Sequence, residues 1–272
     1  MGLQNQLNTK RILIRIIVVL FLGIIIWNIT TNIYDLIGGE EYNRIDHLVI
    51  ALITSLLTVS LIEIVRRVDG MSWRQLGIAS IRTNIFSFCL GFFLWTIPAA
   101  IGLIICLMLG WVEITLNSNL HSLAVYILLL FITVFLMEAL PEEIFFRGYM
   151  YHYLNVLFPH WLTVILQIVL FSLFAYFTGA MYSVEQIQFI PGFAFILGYF
   201  RAVSGNVWTS IGFHVPIMVA FQILSPIHNH FEVSGLFTLK FFAFILLPST
   251  IGAIALGFMY PNHKWSNKAT SP

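Results

Sequence analysis

Charge is what this sequence has least of. Only 9% of its 272 residues are Asp, Glu, Lys or Arg, against about 25% in ordinary soluble domains. That shortage excludes a water-soluble globule and a solvated, disordered chain. Net charge is +1, from 13 Lys and Arg against 12 Asp and Glu, so there is no basic excess of the kind a nucleic-acid partner needs. Cysteine is nearly absent as well. Cys89 and Cys106 share one apolar stretch, and on a helix they would lie about 25 Å apart at about 1.5 Å per residue. They cannot bridge each other at that distance, and the chain has no disulfide framework. What is abundant is apolar surface: 59% of residues are hydrophobic and 15% aromatic, with mean hydropathy +0.92. This composition implies an all-α, polytopic transmembrane helix bundle whose main partner is the lipid bilayer.

A spanning helix takes roughly 20 apolar residues, and eight runs qualify as spans: 12–33, 47–65, 85–111, 123–143 (continuing to 154), 161–177, 187–203, 207–223 and 237–260. The first run is too long for a signal-peptide core and leads into Asp35, Gly38-Gly39 and Glu40-Glu41, so it reads as a retained span. Eight spans put both termini on one side. On that arrangement every basic residue except Arg44 and Lys240 falls on or near the terminal side, while Asp35, Glu40, Glu41, Asp46, Glu113, Glu185 and Glu232 fall opposite. The positive-inside rule then places both termini in the cytoplasm and the protein in the cell membrane as a multi-pass chain. Residues 1–260 read as a single bundle, and the polar stretch 261–272 as an unstructured cytoplasmic tail. The sequence contains no internal repeat, which argues against a transporter built from inverted halves.

Ionisable groups at bilayer depth are costly and usually functional. One segment concentrates them: Glu138-Ala-Leu-Pro141-Glu142-Glu143-Ile-Phe-Phe-Arg147-Gly148, after the wholly apolar run 127–137. Glu143 and Arg147 are spaced four apart, the acid N-terminal, and can pair on one helix face. Glu142 points about 100° away and shares its side with Glu138, one turn earlier. Pro141 removes a helical hydrogen bond and should distort the helix here. Two readings stand side by side: an internal ion-pair lock, or an active or ligand site in which one carboxylate acts as a general base. Of eight histidines, only His214 falls in mid-span. His228-x-His230 reads as a solvated outer loop.

These residues resemble the CAAX protease and bacteriocin-processing (Abi) family of intramembrane endopeptidases. Glu142-Glu143-x-x-x-Arg147-Gly148 is similar to the first motif of that family. Phe195-Ile-Leu-Gly198-Tyr-Phe-Arg201, Gly205-Asn-Val-Trp208 and His214 resemble its third block. The family-like core covers about 124–223. The resemblance implies a helix bundle whose catalytic site opens to the cytoplasmic side, with Glu142 activating water for peptide hydrolysis. It further implies that Glu143 and Arg147 form a supporting pair and that His214 is the last histidine of the site.

The family site is often treated as metal-dependent. A divalent metal such as zinc would draw on Glu142 and His214 here, with Glu138 as a candidate third ligand. The set is incomplete, because a catalytic zinc keeps three protein ligands plus water. Ala175 stands where the second block has histidine, four residues after Phe171, and Met218 stands where Asn or Asp follows the last histidine. Tyr176 is a candidate replacement donor, and a metal-free scheme would use His214 as an oxyanion donor.

Two functions follow as expectations. One is an endopeptidase acting on membrane-associated peptides, prenylated tails or secreted precursors. The other is a catalytically inactive scaffold or immunity-type protein that binds a membrane protein or peptide, in which Ala175 and Met218 serve packing.

Overall fold

The computed structural model describes residues 2–37, 44–225 and 229–269. The expected Gly38–Glu41 segment and His228 lie outside them. Eight helices are present among the described residues: α1 (Gly2–Ile37), α2 (Arg44–Val68), α3 (Ile81–Met108), α4 (Leu120–Leu157), α5 (His160–Phe177), α6 (Val184–Ser204), α7 (Val207–Ile223) and α8 (Leu236–Met259). Seven are long and apolar enough to cross a membrane, and α7 is a shorter apolar helix of 17 residues. Each expected run is thus a helix, and the protein is a multi-pass membrane protein.

Helix boundaries follow from capping. Ser80, Asn119, Ser183 and Asn206 accept backbone N–H bonds at the starts of α3, α4, α6 and α7, satisfying donors that a first turn leaves free. Gly205 ends α6 at φ 70°, in the left-handed region, where a side chain would be strained. The Asn206 side-chain amide also donates to Asn84 Oδ1 at 3.2 Å. This short turn therefore fixes where α7 begins and ties it to α3.

The α3–α7 crossing is close because it is built on glycine. A Cβ on Gly91 would meet the Thr209 carbonyl oxygen at 2.0 Å, and one on Gly212 would meet that of Phe88 at 2.1 Å. In lipid, where both phases are apolar, such small-residue contacts are a main source of helix association. Gly212 lies two residues before His214, so this crossing also sets the height of the histidine.

The connections alternate between the two ends of the bundle. At the end away from the termini, β1 (Glu113–Leu116) pairs antiparallel with β2 (Phe231–Ser234), with Glu113 opposite Ser234 and Leu116 opposite Phe231. The all-α class holds, with this two-stranded ribbon as a local addition. His230, expected in a solvated loop, is buried beside the ribbon, and its Nδ1 lies 2.7 Å from the Ser118 hydroxyl. At the terminal end Arg15 Nη1 lies 2.7 Å from Asp69 Oδ1, and the hydroxyls of Tyr149 and Tyr153 donate to Asp69 Oδ2. One carboxylate thereby joins α1, α2 and α4.

The C-terminal stretch departs from expectation. Residues 261–269 are largely exposed but are tied to the bundle by hydrogen bonds and ring contacts. The Ala269 N–H donates to the Asn155 carbonyl, and the Asn267 carbonyl accepts from the His160 N–H. The Trp265 ring lies 5.4 Å from that of Tyr199. A polar composition concealed two aromatic anchors, His263 and Trp265, that dock on the α4–α5 turn and α6.

Candidate functional site

The site begins with a defect in α4. Pro141 has no N–H to give the helical ladder, and the backbone widens to π-helix at Phe135–Ala139 and again at Glu143–Met150. Such bulges often occur at functional positions. They do not separate Glu143 from Arg147: Arg147 Nη1 donates to Glu143 Oε1 at 3.1 Å, and both side chains are 0% exposed. The expected i,i+4 pair is present.

The guanidinium is held through both terminal nitrogens, while its Nε is buried without a hydrogen-bond partner among the described residues. Arg147 Nη2 donates to the Ala194 carbonyl at 3.3 Å, and the group lies 4.7 Å from the centre of the Phe171 ring. Arg201 Nε donates to the Arg147 carbonyl at 2.8 Å. Gln167 Nε2 donates to the Phe146 carbonyl at 2.6 Å, which compensates part of the loosened ladder. These contacts join α4 to α5 and α6 and fix the rotation of α4 behind the site.

His214 reaches this cluster from α7. Its Nδ1 lies 3.0 Å from Glu143 Oε1, and its ring stands edge-on to Phe193 at 4.7 Å. Glu143 therefore bridges the guanidinium and the imidazole. When Nδ1 carries the ring hydrogen it donates to Glu143, and Nε2 of the neutral ring is then a lone-pair acceptor. In that tautomer Nε2 would accept rather than donate, whereas the expected oxyanion-donor role needs a hydrogen on Nε2. The arrangement also matches one common in metal sites, where a carboxylate orients a ligating histidine.

Glu142 and Glu138 face the other way. Both line a cavity of about 350 Å³ whose wall also includes His214, Ala175 and Met218. The acidic residues of α4 and the imidazole of α7 thus meet at one cavity, as the sequence implied, with Glu143 and Arg147 behind the wall. The positions where the family pattern has further polar residues, Ala175 and Met218, face that same space as apolar side chains. Tyr176 does not serve as replacement donor: it is 65% exposed on the outer surface of α5 and is not part of the cavity wall. Tyr182 and Gln186, which the motif reading did not single out, line the cavity instead. Another missed contact is the Gln222 Nε2 bond to Glu138 Oε1 at 2.7 Å. Its only sequence signal is an amide near the end of α7.

A metal does not fit this donor set. Among the described residues no group of three or more His, Cys, Asp or Glu is placed to hold one. Ala175 and Met218 remove the donors that would complete a site around Glu142 and His214.

The direction of opening also differs from expectation. The rim is formed by Thr31 of α1, His47 of α2, Thr178, Ala180 and Tyr182 of the α5–α6 turn, and Gln186 of α6. These belong to the end of the bundle away from the termini. The resemblance implied an opening on the terminal side, which the charge bias assigns to the cytoplasm.

Residues 124–220 match a family model described as Rce1-like, type II CAAX prenyl endopeptidase. The segment is similar to that family. That match supports the resemblance read from the motifs, and the Rce1-like segment runs from the first turns of α4 to beyond His214 and Met218 on α7. No curated protein and no solved structure matches the chain.

Proposed function

We propose that the protein is an intramembrane endopeptidase whose Rce1-like cavity binds a membrane-associated peptide, with Glu142 as the water-activating base. The observation that carries this reading is the shared cavity wall of Glu142 and His214. In the scheme it supports, water sits between the two acceptors. Glu142 takes one proton as the oxygen attacks the peptide carbonyl, and His214 Nε2 accepts the other hydrogen as a hydrogen bond that orients the attack. The C–N bond then breaks, and Glu142 returns its proton to the leaving nitrogen. Glu143 holds the ring in the required tautomer. Arg147 offsets the buried charge of Glu143. No step requires a metal.

A second reading is favoured by a specific observation: the apolar Ala175 and Met218 in the cavity wall. On this reading the cavity binds a peptide or membrane-protein segment without cleaving it. Glu142→Gln separates the two, because it keeps the shape and removes the base. Loss of cleavage of a membrane-anchored reporter peptide, with reporter binding retained, supports hydrolysis. A cellular phenotype that survives Glu142→Gln unchanged supports the scaffold.

A further inference from the structure

The cavity has a floor and a mouth on opposite faces of the bundle. On the terminal side of Glu142, α4 continues through Glu143–Met150, every residue of which is buried. Met71 and Leu76 of the α2–α3 loop, also buried, join the same apolar cluster. Beyond it Asp69 ties Arg15, Tyr149 and Tyr153 together. None of these plug residues lines the cavity, whose wall ends at Glu142 on this side. At the other end the mouth is open, with Ala180 exposed and Tyr182 79% exposed at its rim.

Charge assigns the faces. The terminal end carries Arg66, Arg67, Arg74, Arg82, Lys264 and Lys268 with Glu63 and Asp69, while the far end carries Asp46, Glu113, Glu185 and Glu232 with Arg44 and Lys240. The positive-inside bias makes the terminal end cytoplasmic. We propose that the cavity is loaded from the extracytoplasmic side. Its substrate class is then an extended segment of a secreted or membrane-anchored polypeptide displayed on that face. Such a segment would present a large apolar side chain to the wall formed by Trp27, Phe171, Phe174 and Phe189. Cytoplasmic tails, prenylated C-termini among them, lie on the wrong side of the plug. The substrate class rests on the peptide-site reading above, whereas the sidedness does not depend on cleavage.

The test uses the full chain in sealed membrane vesicles of both orientations, with a membrane-impermeant maleimide. Ala180→Cys places a thiol at the mouth and Lys264→Cys one at the terminal face. The wild-type chain, whose Cys89 and Cys106 lie inside the α3 span, sets the background. Ala180→Cys should label in right-side-out vesicles and lose labelling in inverted ones, and Lys264→Cys should do the reverse. A short peptide carrying benzoylphenylalanine, added to right-side-out vesicles, should cross-link to the protein. That cross-link should be lost once the thiol introduced by Ala180→Cys is modified, and it should persist in Glu142→Gln even if no cleavage occurs. Labelling of both positions from one side, absence of labelling at position 180, or cross-linking only in inverted vesicles would each overturn the proposal.

Discussion

Glu142 and Glu143 are neighbours in sequence with opposite surroundings, because consecutive helical residues point about 100° apart. Glu143 is enclosed with Arg147 and His214. Removing one partner of a buried charge pair typically costs about 3–5 kcal/mol, since the other charge is left uncompensated. Glu143→Ala should therefore lower the thermal unfolding temperature of the purified protein markedly, while Glu142→Gln, at a cavity wall, should leave it near wild type. Equal destabilisation by the two variants would show that the residues are not divided in this way. The division was legible in sequence, because spacing alone separates the 138/142 side from the 143/147 side. The bond from His214 to Glu143 was not legible, since it depends on the depth at which α7 crosses α4. The same holds for Tyr176 and Tyr182: the first is near the motif but turned to the outer surface, and the second is across a turn and lines the cavity.

Helices of this bundle are placed by what they lack at the crossing points. Gly91 and Gly212 allow α3 and α7 to touch backbone to backbone. Gly212→Val puts carbon where the Phe88 carbonyl stands, so the crossing must open and His214 must move with it. The expected outcome is a lower yield of folded protein and a reduced melting temperature, read by fluorescence-detected gel filtration. A wild-type profile would contradict the close crossing. The existence of each helix was plain from its apolar run, and all but α7 are long enough to span a bilayer. Pro141 signalled distortion of α4, but not the π-helical widening on both sides of it. That form depends on bonds such as Gln167 to the Phe146 carbonyl, made by a helix that local pattern cannot bring in.

Across the whole molecule, the apolar runs gave the helix bundle, and the polar composition of 261–269 concealed contacts with it. Backbone groups of Trp265, Asn267 and Ala269, with the Lys268 side chain, pair with backbone groups of α4 and α5, a tertiary role invisible in composition. Burial pushes the His263 imidazole below the ordinary histidine range, beside the His160 ring at 5.0 Å and the Trp265 ring at 4.8 Å. A histidine held neutral by the fold contributes stability that is present above its unfolded pKa and fades as pH falls toward its folded value. The tail should accordingly become sensitive to proteolysis as pH drops below about 6.5, and His263→Phe should weaken that dependence. A tail equally protected at pH 5 and pH 8 would argue against His263 as the contact responsible.

The claim on which the functional reading depends is that Glu142, Ala175, His214 and Met218 surround one space. It can be tested by completing the donor set with the double substitution Ala175→His and Met218→Asn. If the four positions converge, the variant should retain about one zinc per chain after dialysis. The wild-type chain, and the same variant carrying His214→Ala, should retain none. Folded double variant that takes up no more zinc than wild type would contradict the shared cavity.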